Sequence, residues 1–238
     1  MKLLAFETAT EACSVALCLD GEVRERFEIA PRRHAELSLP WADALLAEAG
    51  IARSQLDAIA VGRGPGAFTG VRLAIALAQG IALALDIPVV PVSTLRALAA
   101  QALLPPPDSE GEGYVLAAID ARMGEIYAAT FRRDGGDVVP ASDETVIAPT
   151  AYELPVPGAD WIGVGTGFAA EAGVLQSRLG DRFARIDASA LPHAGDVAKL
   201  AALAFARGEA IAAEFVEPAY LRNNVALTLA EQKALRAK

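Results

Sequence analysis

Two carboxylates and two glycine turns are the residues of this chain whose types and spacing could do chemistry. Glu7 closes the run KLLAFE and is followed by Thr8, and Asp120 closes the run YVLAAID. Two strand-end carboxylates, one in each half of a chain, can position Mg²⁺ or a water when the halves face each other. Backbone N–H groups of the turns that follow can then hold phosphate oxygens. On that reading Glu7, Thr8 and Asp120 form a nucleotide site together with Gly165 and Gly167. A plainer reading has each carboxylate accepting hydrogen bonds from its own turn.

The glycine turns are Gly62-Arg-Gly64-Pro-Gly66 and Gly163-Val-Gly165-Thr-Gly167. Neither is G-x-G-x-x-G, since residue 67 is Ala, and neither is followed by Gly-Lys-Ser or Gly-Lys-Thr. Without a lysine aimed at a ligand, such a turn marks backbone that needs positive φ or close approach. Two histidines are present, His34 and His193. Ser38 stands where a second histidine would complete an H-x-x-x-H pair with His34. HExxH, CxxC and G-x-S-x-G are absent, so neither a metal site nor a hydrolytic constellation is expected.

The elements that must position these residues repeat. Residues 2–8 read as a strand ending in a turn, and 13–19 and 22–29 as alternating strands joined at Asp20-Gly21, a hairpin signal. Residues 34–49 have helical spacing ending at Gly50. Pro40 leaves two options, a kinked helix or a start near Leu39 with Ser38 as N-cap. A buried strand at 57–61, the glycine turn, a helix to Leu85, a strand at 87–92 and a helix capped by Ser93 complete the first half. The Pro/Gly-rich stretch 103–113 reads as a linker. The pattern then restarts: 115–120 can be laid over 3–7, Asp134–Asp137 is a second hairpin turn, and DWIGVGTGF (160–168) matches DAIAVGRGP (57–65). Two matches in the same order indicate a duplicated α/β unit. The expected architecture is a two-lobed ribonuclease H-like fold of the ASKHA (actin/Hsp70/sugar-kinase) superfamily: lobe one at 1–104, a linker at 105–113, and lobe two with a C-terminal extension at 114–238.

With 238 residues, 53% hydrophobic and 21% charged, the chain has the composition of a globular protein. Its mean hydropathy, +0.33, is high enough to leave apolar surface for a partner. A net charge of −9 argues against strong direct contact with a nucleic-acid backbone. Cys13 and Cys18 fall on opposite faces of one strand and cannot bridge, which fits a reducing cytoplasm. No apolar run reaches the length of a membrane helix, and Glu7 and Glu11 interrupt any signal peptide.

From Val71 to Leu85 the helix over 69–85 is apolar around nearly its whole circumference, with Arg72 and Gln79 as its polar residues. Such a helix is either enclosed by its own chain or packed on another. With the Leu37, Trp41 and Leu45 stripe of the preceding helix, it offers a candidate contact surface that includes Val71, Leu73, Ala74, Ile75, Leu77, Ala78 and Ile81.

The stretches LAFETATEACSVA (4–16) and VGRGPGAFTGVR (61–72), supported by DARMGEIY (120–127) and PAYLR (218–222), resemble the TsaB (YeaZ) family of bacterial tRNA threonylcarbamoyladenosine biosynthesis proteins. The resemblance spans essentially the whole chain, and 61–72 is its most specific part. It implies a degenerate paralogue of TsaD, the subunit that transfers threonylcarbamoyl to adenosine 37 of ANN-decoding tRNAs and carries a metal on an H-x-x-x-H pair. Half of that pair is missing here. It further implies a non-catalytic scaffold that dimerises with TsaD, assembles with the ATPase TsaE, and self-associates when alone through helices 34–49 and 69–85. No cofactor is then required, and ATP with Mg²⁺ would bind only at a shared or degenerate site. The family commonly has Asp where Glu7 stands, which alters any Mg²⁺ geometry. Two other expectations are an ATP-dependent phosphotransferase using Glu7 and Asp120, and a glycoprotease-like peptidase.

Overall fold

The computed structural model describes residues 1–103 and 113–222. All of the expected linker except Gly113, and the extension beyond Arg222, lie outside the described residues. The first half contains β1 (Lys2–Glu7), β2 (Ala12–Leu19), β3 (Glu22–Ile29), α1 (His34–Ala49), β4 (Ala58–Gly62), α2 (Phe68–Leu85), β5 (Val89–Val92) and α3 (Thr94–Ala100). The second contains β6 (Tyr114–Arg122), β7 (Glu125–Asp134), β8 (Asp137–Pro140), β9 (Thr145–Ile147), β10 (Trp161–Val164), α4 (Ala170–Leu179), β11 (Phe183–Asp187) and α5 (Ala194–Ala206).

The sheets run β3-β2-β1-β4-β5 and β8-β7-β6-β10-β11, with β9 added beside β7. In each, an antiparallel meander is extended by two parallel strands. The duplication read from the sequence is therefore the duplication of the fold. Asp20 and Gly21, at φ 50° and 95°, make the hairpin turn that their residue types favour.

α1 runs unbroken through Pro40 and ends on Gly50 at φ 68°. Ser38 is consequently not an N-cap; it is buried, and its Oγ donates to the His34 carbonyl at 2.7 Å. Ser93 does cap α3, its Oγ accepting from the Arg96 N–H at 3.1 Å.

Three apolar clusters layer the molecule. α1 and α2 cover the outer face of the first sheet around Phe6, Val15, Ile59 and Val61. Trp161, Phe168 and Leu175 cover the outer face of the second. Between the sheets lie α3 and α5, and each packs mainly on the other half's sheet: α3 on β6, β7 and β8, α5 on β1, β2 and β4. The halves are thus interlocked by exchanged helices. Cys18 faces this middle layer, while Cys13 faces α1.

Contrary to the expectation that no apolar run is long enough, α2 would by length and composition alone suffice to cross a membrane. Its stripe Val71, Ala74, Ile75, Ala78 and Ala82 is instead buried on the first sheet.

Candidate functional site

The glycine loop after β4 and the turn after β1 pack directly on one another. Glu7 is 1% exposed beneath Gly62, where an added Cβ would fall 1.9 Å from Glu7 Oε2. Its Oε1 accepts from the Ala9 N–H at 2.7 Å and its Oε2 from the Thr94 hydroxyl at 2.9 Å. Thr8 is fully buried and donates to the Gly70 carbonyl at 2.7 Å. A side chain at Gly70 would collide with the Thr8 carbonyl, at 1.9 Å. In the loop GRGPGAFTG, Gly66 and Gly70 are therefore glycines because backbone meets backbone there, and Gly62 because the Glu7 carboxyl occupies the space of a side chain.

Burial raises the Glu7 carboxyl to about 7, against the opposing hydrogen bonds from Ala9, Thr94 and Thr8. A carboxyl raised on folding favours the native state while protonated. Its contribution is complete below its ordinary value of 4.5 and is lost as pH rises through about 7. Glu7→Gln, which mimics the protonated acid, is expected to match the parent near pH 5. At pH 8 it should be more stable by about 1–3 kcal/mol. Urea denaturation at the two pH values measures both.

Above this packed turn opens a cleft of about 940 Å³ between the lobes. It is bordered by Thr10, Glu11 and His34 on one side, Asp120, Tyr127 and Thr166 on the other, and Phe68, Arg72, Tyr220 and Arg222 across the mouth. Of the five expected nucleotide residues, Asp120 alone lines it. Glu7 and Thr8 are sealed below, and Gly165 and Gly167 lie buried against Ala118.

The strand register explains the missing carboxylate pair. Phe6 pairs with Val61 and Ala117 with Val164, so the position matching Glu7 is Ala118, and Asp120 stands two residues further along the longer β6. Asp120 accepts from the Arg122 N–H at 2.7 Å and its guanidinium at 2.8 Å, the self-contained turn that was the plainer reading.

His34 lies at the cleft edge with Nε2 3.0 Å from the Thr10 carbonyl and 3.2 Å from that of Ala12. A ring nitrogen facing two carbonyls carries a proton, so it is unavailable as a ligand. Ser38 points away from the cleft, toward Cys13 Sγ at 3.6 Å.

His193 belongs to a separate cluster that ties β3 to the start of α5. Glu25 accepts from Ser14 Oγ at 2.5 Å and the Gly195 N–H at 2.9 Å, and its Oε2 lies 3.0 Å from His193 Nδ1. The hydrogen bond to Glu25 raises the His193 pKa against desolvation. Desolvation opposes the fall of the Glu25 pKa but is outweighed by the bonds from His193, Ser14 and Gly195. Ser14 gives its proton to the carboxylate, not to the imidazole, so the three residues lack the order of an acyl-transfer triad.

The expected contact surface divides in two. Leu45, Val71, Ala74, Ile75 and Ala78 are buried in this chain's own core and not on the outer side of the helices, a correction that follows from the helix stripe facing the sheet; Val71 also borders the cleft. Leu37, Trp41, Leu73, Leu77 and Ile81 are half-buried at the edge of that stripe. Beyond them α2 exposes Ala76, Gly80 and Ala84 with Leu83, which is 63% exposed, and α1 exposes Leu39. Leu83 is not legible in the sequence because a helix apolar all round does not disclose which stripe meets its sheet, and Leu39 lies off the Leu37, Trp41 and Leu45 stripe of α1.

Two matching sheets, stacked through exchanged helices with a cleft between the lobes, place the protein in the ASKHA, actin-like class. A family model described as TsaD, tRNA N6-adenosine threonylcarbamoyltransferase, matches residues 27–229. The chain is similar to the tRNA threonylcarbamoyladenosine biosynthesis protein TsaB of Escherichia coli K12, with 42% identity over 95% of this chain and 96% of that one. The TsaB of Haemophilus influenzae Rd is 39% identical over 94% and 95% of the two chains. Among solved structures, YeaZ from Pseudomonas aeruginosa superposes with a TM-score of 0.81 at 46% identity, covering 92% of this chain and 99% of that one. The chain belongs to the TsaB (YeaZ) family.

Proposed function

We propose that this protein serves the synthesis of threonylcarbamoyladenosine at position 37 of ANN-decoding tRNAs as a non-catalytic scaffold that pairs with TsaD. The relatives' role in that biosynthesis supports the pathway, and the outer stripe of α2 carries the pairing. Gly80 is exposed in mid-helix with nothing within 4 Å of an added Cβ. A glycine there costs the free chain about 1 kcal/mol relative to alanine and has no internal reason. Close approach of a second helix supplies one.

The same surface would bring two copies together when TsaD is absent, and TsaE would join the larger complex in the cytoplasm, where Cys13 and Cys18 remain free thiols. The sealed Glu7 and the Arg122-paired Asp120 favour a scaffold over an ATP-dependent phosphotransferase. Mixing with the cognate TsaD is expected to give a co-eluting heterodimer on size exclusion, and omission of this chain should abolish tRNA modification in the reconstituted system. Separate elution with undiminished modification would overturn the proposal, as would ATP turnover by the isolated chain that Asp120→Ala removes.

A further inference from the structure

We infer that the interlobe cleft is a docking groove for a peptide segment of a partner protein, one that is acidic and apolar together. Four arginines line it, Arg32, Arg72, Arg122 and Arg222, against two carboxylates, Glu11 and Asp120. This positive concentration stands out in a chain of net charge −9. Asp120 is already neutralised by Arg122, and Arg222 is held by Glu125. Arg32 and Arg72 differ from them: neither forms an ion pair among the described residues.

Arg72 is fixed in place without a counter-ion. Its guanidinium lies 3.7 Å from the Phe68 ring centroid and 5.5 Å from that of Tyr220, and its Nε donates to the Tyr220 hydroxyl at 2.6 Å. The two terminal nitrogens remain for a ligand, ordered in advance in the fork that matches a carboxylate. The cleft walls between the arginines are apolar, with Ala9, Val71, Ile119 and Leu221. At the mouth Phe68 and Tyr220 are 60% and 52% exposed, and Met123, in contact with Arg222, is 80% exposed. Exposed aromatics beside preorganised arginine are the side chains that dominate protein–protein hot spots.

A nucleotide suits the cleft less well. No lysine lines it, and Gly165 and Gly167 are not among its walls. RNA is disfavoured because an extended phosphate backbone would meet the chain's net negative charge beyond the cleft. This groove is distinct from the outer stripe of α2 and does not rest on the pairing proposed for it.

The test is selection of a random dodecapeptide library on the full-length protein, with fluorescence anisotropy of the enriched peptides. Enrichment should favour Glu or Asp beside Leu, Ile, Phe or Trp, and added salt should weaken binding. Arg32→Glu/Arg72→Glu should lower affinity at least about tenfold while circular dichroism stays native. Should the double variant fail to fold, Arg32→Glu alone, at an exposed turn position, carries the same expectation. Three results would overturn the inference: no acidic enrichment, equal binding to the arginine variants, or displacement of the peptides by ATP or oligoadenylate.

Discussion

Alanine at Gly165 is expected to destabilise the protein by about 3 kcal/mol or more and to lower its melting temperature by roughly 10 °C. Gly165 follows β10 at φ 108°, a backbone state that side chains avoid. The added Cβ would lie 2.2 Å from the Ala118 carbonyl oxygen and 2.5 Å from Leu98 Cδ2. Neither neighbour can yield: Ala118 is central in β6, and Leu98 belongs to α3 in the middle layer. Differential scanning fluorimetry measures the shift. A change below about 2 °C would show that the packing of Gly165 against Ala118 and Leu98 can relax.

The second large effect concerns association. Leu83→Arg places a charge on the exposed ridge of α2 and is expected to weaken the pairing proposed with TsaD about 100-fold, with the free chain's stability within about 0.5 kcal/mol of the parent. Gly80→Ala separates the two properties more sharply. With open space around the position, the methyl should stabilise the free chain by about 0.5–1 kcal/mol. The same methyl should weaken the complex by holding the partner helix away. Calorimetric titration together with urea denaturation reads both. A stabilised Gly80→Ala variant that binds as tightly as the parent would place the contact elsewhere.

Much of the fold is legible in the sequence because its signals are local. Asp20-Gly21 specifies a hairpin, Ser93 a helix start, and the paired runs at 57–65 and 160–168 a repeated unit. Residues fixed by tertiary register are not legible in this way. Nothing local tells that β6 overruns β1 by two residues, so that Ala118 and not Asp120 corresponds to Glu7. The inward stripe of α2 is equally hidden, since small and large apolar residues surround the helix. The cleft's arginines come from four segments, between residues 32 and 222, that only the doubled topology brings together. The close packing of the glycine loop is legible, because the absence of a lysine is itself a local observation.

The exchange of helices between the halves has a consequence for synthesis. The inner face of the first sheet, with Leu3, Ala5, Ala16 and Ala60, is covered by α5, the last α-helix among the described residues. The ribosome adds about 100 residues between the end of α3 and the end of α5, which takes roughly 5–20 s at ordinary elongation rates. Throughout that interval the nascent chain carries a finished sheet with one bare apolar side. Translation that stops before Ala194 would therefore release not a smaller, working lobe but a sticky fragment for chaperones or proteases.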